Sequence, residues 1–448
     1  MKKFLMTICL CLGLSVVASA QQKLELTLDE ALGIALSDNP TIQVANLEIE
    51  RYDYVRKQAL SSLYPQVDAS AQYSLALRRQ EMAEGLSFGG KNTFNVAGTV
   101  SLPLFVPSVY RQLKLTRTQM EVAVESGRAN RIDLIAAVRA AYYNILLAEQ
   151  SLMVLEEAAL TTDRVVKNTE DLYNNGLAAE YDYITARVQR SNLDPQILQV
   201  KNGVEIAKLQ LKMYLSIPED VEVEVVGSLD GFKDVALLGA DYEMDIENNT
   251  TIKNLDLQLE LLDHQEKLIQ TTRMPTVAAF AQVSYIGQER SDLGGILGAM
   301  GGGDATTAVK QSKFWWQVPI SLGAQINIPI FAGFKKTNQL REVRNQREQL
   351  RLQRDYAEEG IRLQVQQSVN TLLTARSMML ANGETVLQAE KAYQISLTRY
   401  EAGAGTILEL NSAQLALTQA QLSYSQSIFD YLTAYAEYEK VLGKDSVE

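Results

Sequence analysis

From Gln66 onward apolar and polar residues alternate: Val67, Ala69, Ala71, Tyr73, Leu75 and Leu77 fall on one side, Gln66, Asp68, Ser70, Gln72 and Ser74 on the other. A period of two marks a strand with unlike faces. Phe94, Val96, Gly98, Val100 and Leu102 alternate in the same way with Asn95, Ala97, Thr99 and Ser101, and the stretch from Trp316 to Ile328 alternates with Gln317, Ser321, Gln325 and Asn327. Pro275 to Tyr285 is weaker, apolar on both sides except at Gln282 and Ser284. The pattern predicts four strands in two hairpins, over about 66–78, 94–104, 275–286 and 315–330.

The period changes between the hairpins. Ser108 to Leu172 and Lys335 to Arg399 contain no proline and are rich in Ala, Leu, Gln, Glu and Arg, which predicts long helices; some 65 residues would reach roughly 100 Å. A shorter helix follows each. Its small and apolar positions in the second case, Ala413, Leu417, Ala420, Tyr424, Ser427, Tyr431, Ala434, Tyr438 and Val441, step by four and three in turn, a sustained heptad. The corresponding series Ala186, Arg190, Leu193, Ile197, Val200, Val204, Ala207, Leu211 and Tyr214 is broken only by Arg190. Two antiparallel coiled-coil hairpins result, although heptads alone also fit a self-contained bundle. Pro195 lies inside one helix and is expected to kink it or shift its packing.

These elements occur twice. Asn39-Pro40-Thr41-Ile42 and Pro65 return as Asn249-Thr250-Thr251-Ile252 and Pro275, Leu102-Pro103-Leu104-Phe105 as Ile328-Pro329-Ile330-Phe331, and Tyr173-Asn174-Asn175-Gly176 as Tyr400-Glu401-Ala402-Gly403. Two similar halves, 21–230 and 231–448, are therefore expected, each reading helix, two strands and helix hairpin, with tips at 173–182 and 400–409.

Lys2 and Lys3 precede an apolar run from Phe4 to Val17, and Ala18-Ser19-Ala20 supplies small residues where a signal peptidase reads. A signal peptide over 1–20 is expected; an uncleaved anchor is the alternative, but the run is short for a membrane span. Its removal takes Cys9 and Cys11, leaving no disulfide, and moves the formal charge from −12 to −14. Such an acidic exported chain is a poor nucleic-acid binder. No later apolar run is long enough for a membrane helix, so a crossing would have to be made by strands. The strands have the right length for one, and Phe314, Trp315 and Trp316 sit where an aromatic girdle belongs. A half-buried sheet in a soluble sandwich gives the same alternation. Four strands do not close a membrane barrel alone, so copies of the chain would have to complete it. The glycine-rich loop Gly287 to Lys313 lacks the Gly-Lys-Ser/Thr of a phosphate loop.

Export signal, doubled helix–strand–strand–helix unit, Leu-Pro-Leu-Phe and Ile-Pro-Ile-Phe strand ends and Tyr-x-x-Gly turns together resemble the TolC-type outer-membrane efflux proteins, over essentially the whole mature chain. The resemblance implies a mainly α fold with a β-barrel part. Long coiled-coil helices form an α-barrel across the periplasm, and four transmembrane strands per chain close as a twelve-stranded barrel in a homotrimer. Shorter helices, here about Thr41 to Leu63 and Tyr183 to Leu215, would stack end to end to match a long one. It implies an outer-membrane duct in a tripartite efflux or secretion system, contacting outer-membrane lipid, a periplasmic adaptor protein and, through the adaptor, an inner-membrane pump of RND, ABC or MFS type. It also implies a periplasmic gate at Asp182, Glu409, Tyr173 and Tyr400, and adaptor contact at Asn175, Gly176, Leu177 and Gly403. Without the resemblance, an acid just after a turn reads as a helix cap. The chain departs from the pattern at Gly405, where some members carry arginine, and at Ser412, where they carry a second acid. A salt-bridge lock is therefore not carried over.

No catalytic constellation is present. His264 is the single histidine, so metal clusters and histidine-based triads are excluded on composition and neither enzyme activity nor a cofactor is expected. His264 lies among Asp263, Gln265 and Glu266 on a polar helix and reads as solvated. The run Arg341 to Arg362 mixes both signs, as a salt-bridged helix face does. A structural trimeric coiled-coil envelope protein without transport is the alternative function.

Overall fold

The computed structural model describes residues 23–78, 80–83, 86–88, 91–238, 244–289 and 314–445. The expected signal peptide and most of the glycine-rich loop lie outside them. The elements are β1 Lys23–Leu26, α1 Leu28–Asp38, α2 Pro40–Ser61, β2 Gln66–Leu75, β3 Gln80–Ala83, β4 Leu86–Phe88, β5 Asn92–Phe105, α3 Pro107–Asn174, α4 Glu180–Leu215, β6 Glu222–Val225, α5 Leu229–Leu238, α6 Thr250–Thr271, β7 Thr276–Glu289, β8 Phe314–Gln317, β9 Ile320–Asn327, α7 Lys335–Glu401 and α8 Ile407–Leu442. The chain is mostly helical. Its contacts divide it into a unit of residues 1–49, 122–256 and 352–448, and a unit of residues 50–121 and 257–351.

The first unit is built on α3, α4, α7 and α8. Its core gathers Val138, Tyr142 and Ile145 of α3, Leu211 and Leu215 of α4, Leu372 and Met379 of α7, and Ile428 and Tyr431 of α8. Helix α8 buries more than its heptad seam, because Ile407, Leu410, Ile428 and Leu432 are also covered. Arg190, the break in the first heptad, is explained by charge: its guanidinium bridges Asp163 of α3 at 2.8 Å and Asp194 at 2.5 Å. Helix α4 stays helical through Pro195.

In this unit four short elements escape the sequence patterns. Strands β1 and β6 pair in parallel, Leu24 opposite Val223 and Leu26 opposite Val225. The buried Tyr142 hydroxyl closes this pair, 2.5 Å from Val226 O and 3.0 Å from Leu26 O, while accepting the Val226 N–H at 3.2 Å. Burial pushes that phenol up to about 12, so it stays a donor throughout the physiological range. Helix α1 opens on a Thr27–Glu30 capping box. Helix α5 is tied to α8 through Lys233, which donates to Asp230 at 2.8 Å and to the Tyr424 hydroxyl at 3.2 Å.

One local device occurs twice in this unit. Helix α4 ends with Ser216 in the left-handed region (φ 56°) and α8 with Gly443 (φ 74°). Both ends close with a Schellman pair, Ile217 N–H to Lys212 O and Lys444 N–H to Glu439 O, each at 3.0 Å. The left-handed state costs a non-glycine residue roughly 1–2 kcal/mol, which Ser216 bears. At Gly443 a Cβ would collide with Asn248 O. Beside each end an asparagine joins that helix to the start of another. Asn39 donates to Tyr214 O at 2.7 Å and accepts from Thr41 N–H at 2.8 Å; Asn249 donates to Val441 O at 2.7 Å and accepts from Thr251 N–H at 2.9 Å.

The second unit holds the sheet, in the order β2, β5, β7, with β8 and β9 both on the far side of β7 and every pairing antiparallel. Register sorts the faces. Rows such as Val67, Val100, Ala281 and Leu322, or Ala69, Gly98, Val283 and Ile320, make one face apolar. Asp68, Thr99, Gln282 and Ser321 form a row of the opposite, polar face. The weak alternation of β7 is thereby resolved, since Val277, Ala279, Ala281, Val283 and Tyr285 join the apolar face. The segment expected over 315–330 is divided, because Pro319 has no N–H for the ladder and Pro329 follows the end of β9. The carbonyl of Pro319 still accepts from Ser284 N–H at 3.0 Å.

Beside the sheet, α6 and α7 are pinned by Glu266, whose buried carboxylate accepts from Arg344 at 2.8 Å and from Arg347 at 3.2 Å. His264 is not the solvated residue expected. Its side chain is only 16% exposed, with Nε2 3.4 Å from Glu260. Its Nδ1 is buried without a partner among the described residues.

Candidate functional site at the helix tips

The turn from α3 to α4 and the turn from α7 to α8 share one backbone. Gly176 (φ 73°) and Gly403 (φ 70°) take the left-handed position. Leu177 N–H reaches Leu172 O and Ala404 N–H reaches Arg399 O, both at 2.8 Å, so each long helix ends in a Schellman motif. Nothing stands within 4 Å of the Cβ that either glycine lacks, so backbone conformation alone selects glycine there.

Asp182 and Glu409 both fall on the third residue of the returning helix, and their surroundings differ. Helix α8 starts at Thr406, whose hydroxyl accepts from Glu409 N–H at 3.2 Å while the Glu409 carboxylate accepts from Thr406 N–H at 3.3 Å. This is a complete capping box. Glu409 also lies 3.8 Å from the Arg399 guanidinium, which donates to Ala404 O at 3.2 Å. Helix α4 starts at Ala179, which has no side chain to cap it. The Asp182 carboxylate has no hydrogen-bond or ion-pair partner among the described residues, only its backbone N–H bonding to Ala179 O at 3.0 Å. It faces the positive end of the α4 dipole.

The tyrosines divide likewise. Tyr173 stacks on Tyr183, with ring centroids 5.9 Å apart and planes 5° apart. Tyr400 instead joins the hairpins, its hydroxyl 3.1 Å from the Thr169 hydroxyl of α3. Beneath it lies a cluster drawn from all four helices, Val165, Ala186, Tyr393, Ile407 and Leu410. Gln414 extends that connection, donating to Ala158 O at 3.0 Å and to the Thr162 hydroxyl at 2.8 Å. The structure thus brings Tyr400 to the first hairpin and Tyr173 to Tyr183, but records no contact between Asp182 and Glu409.

Of the expected adaptor residues, Leu177 is 76% exposed on the turn. Gly176 and Gly403 are exposed, and Asn175 donates to Asp171 O at 2.7 Å. Arg399 was missed from sequence; its signal is a cation immediately before the Tyr-x-x-Gly turn, ten residues ahead of Glu409. Among the described residues no group of three or more His, Cys, Asp or Glu could hold a metal ion.

The model of the family described as "Outer membrane efflux protein" matches residues 31–216 and 242–444. The chain belongs to that family. It is 22% identical to the outer membrane protein TolC of Escherichia coli over 394 residues, 86% of this chain and 76% of that protein. It is 24% identical to the probable efflux pump outer membrane protein TtgC of Pseudomonas putida over 434 residues, 93% of this chain and 82% of that one. The crystal structure of the Campylobacter jejuni CmeC outer membrane channel aligns with a TM-score of 0.67 at 16% identity, covering 93% of this chain and 85% of that chain. That likeness shows a shared fold. The family's members are outer-membrane channels, and membership assigns this efflux protein to the outer membrane. No helix among its described residues is long and apolar enough to cross a membrane.

Proposed function

We propose that this efflux protein is a homotrimeric duct of a tripartite efflux or secretion system, through which solutes leave passively. In this reading β2, β5, β7 and the split strand β8/β9 supply a third of a closed twelve-stranded barrel, and the long helices line a periplasmic passage. The observation that carries it is the sheet. Its outer strands β2 and β9 have no partner on one side among the described residues, and its apolar face carries Val67, Val96, Val100, Ile320, Leu322 and Ile326 exposed in the single chain. Open edges are untenable in lipid, where each unpaired backbone group costs several kcal/mol. From the row of Val277 to the row of Gly287 the apolar face spans about 33 Å along the strand, or about 25 Å at a usual barrel tilt, which suits an outer-membrane band.

Aromatic side chains flank that band at the hairpin end. Tyr73 and Phe94 lie 4.8 Å apart, and Trp316 stacks on Tyr285 at 4.8 Å. Gly287 admits Trp316, because a Cβ there would collide with the indole. The paired Schellman ends and asparagine brackets support the reading of two halves with one architecture.

The tips are the proposed gate, with Asp182, Glu409, Tyr173 and Tyr400 at the constriction. Asn175, Gly176, Leu177 and Gly403 would meet a periplasmic adaptor that links the duct to an inner-membrane pump. Three copies of Asp182 around one axis would form a cation-attracting ring. Planar-bilayer recording tests the duct. Discrete cation-selective steps are expected, with higher conductance and weaker block by multivalent cations in the double variant Asp182→Asn/Glu409→Gln. A trimer that stays silent even with its adaptor bound would favour a structural envelope protein; conducting steps unchanged in the double variant would move the gate elsewhere.

A further inference from the structure

The strand-to-helix junction of the second half carries groups that neither the barrel nor the tips use. Ile330, Phe331 and Phe334 are 93%, 74% and 68% exposed. The two phenylalanine rings meet edge to face at 5.4 Å. Phe334 holds φ at 63° directly after Gly333 at 57°, a left-handed pair that a bulky aromatic side chain ordinarily avoids. The conformation keeps an aromatic ring out of the core, beside a shallow notch of about 300 Å³.

Arg273 and Lys336 line this notch, and Lys335 stands next to Lys336 at the start of α7. Arg273 lies exposed and donates to the Thr337 hydroxyl at 3.3 Å. The exposed Lys335 ammonium finds no partner among the described residues, while Lys336 is committed to Thr272 O. The wider neighbourhood shares the bias: residues 50–64, 106–121, 257–275 and 331–351, all within the unit that holds the sheet, contain 14 Lys and Arg against 8 Asp and Glu. The whole chain has the opposite balance, 42 against 54. A basic excess in the segments next to the strands, with Phe331 and Phe334 exposed at one of these junctions, is complementary to a bilayer interface of negative charge.

We infer that Phe331 and Phe334, with Arg273 and Lys335, form a docking site for anionic phospholipid, the rings seating at headgroup depth and the cations meeting the phosphates. This rests on the reading that the strands lie in the membrane. It predicts selective retention of anionic over zwitterionic phospholipid at the helix-side rim of the barrel.

The full-length protein is placed in nanodiscs of mixed phosphatidylglycerol and phosphatidylcholine, and retained lipid is counted by native mass spectrometry after detergent exchange. Preferential retention of phosphatidylglycerol is expected, falling about fivefold for each cation removed in Arg273→Gln and Lys335→Gln. The variant Phe334→Gly relieves the left-handed side chain, so its melting temperature should hold or rise while retention of both lipids drops. Equal retention of the two lipids by the unaltered protein overturns the inference, as does an unchanged preference in the double cation variant. Displacement of the lipid by inorganic phosphate alone would make this a free-phosphate site and also overturns it. So does Phe334→Gly dissociating the oligomer with lipid per chain unchanged, which reassigns the patch to a contact between copies. Failure to enter either lipid overturns the membrane reading itself, and this site with it.

Discussion

The two helix tips have the same backbone and different chemistry. Both end a long helix in a Schellman turn on a left-handed glycine, and both put an acid on the third residue of the returning helix. At the second tip that acid is held by Thr406, faced by Arg399 and backed by the buried Leu410. At the first, Ala179 offers no cap and the Asp182 carboxylate is unpartnered among the described residues. A repeated backbone therefore repeats the acid without repeating its partners. Glu409 is engaged in building its tip, whereas the Asp182 carboxylate is left without a partner among the described residues.

The largest test of this contrast removes packing. Leu410→Ala should cost about 2–5 kcal/mol locally, read as faster amide exchange through the second tip, whereas Leu177→Ala on the first should stay within about 0.5 kcal/mol. Equal protection loss at the two tips would erase the distinction. The glycines provide the symmetric control: Gly176→Ala and Gly403→Ala should each cost about 1–2 kcal/mol and match one another, since both positions are open and both are left-handed. Next come the caps. Thr406→Ala should cost about 1 kcal/mol, and Ala179→Ser, which supplies the missing acceptor, should gain about 0.5–1 kcal/mol at the first tip by the same exchange measurement. Smallest in stability is Arg399→Gln, below about 0.5 kcal/mol for so exposed a pair. Its informative readout is bilayer current, where releasing Glu409 should raise cation selectivity; no change would mean that the field is set by Asp182 alone.

Much of the architecture could be read from pattern because it is local. The proline-free run from Ser108 to Leu172 corresponds to α3, and the alternation from Gln66 to β2. Elements whose partners lie far along the chain were not legible. Leu24 and Leu26 carry too little pattern to announce a strand, and what makes β1 a strand is β6, nearly 200 residues later. Pro319 was visible, yet its division of a strand shows only once Ser284 is seen bonding its carbonyl. His264 read as solvated because its sequence neighbours are polar, while neighbours in space cover it. At the tips the residue types were legible and their engagement was not. Glu409 looks free until Thr406 and Arg399 are placed beside it.

The two asparagine brackets bear on how the chain reaches its fold. Asn39 closes on a carbonyl 175 residues away and Asn249 on one 192 residues away, while each hairpin turn is closed by neighbours only a few residues apart. Loop entropy places contacts of such separation late. The turns and helices should form first and the brackets last, so the second half cannot be secured until Val441, 192 residues beyond Asn249, has been delivered. Until then the apolar helix faces stand uncovered, an interval in which association with other unfinished chains competes with closure.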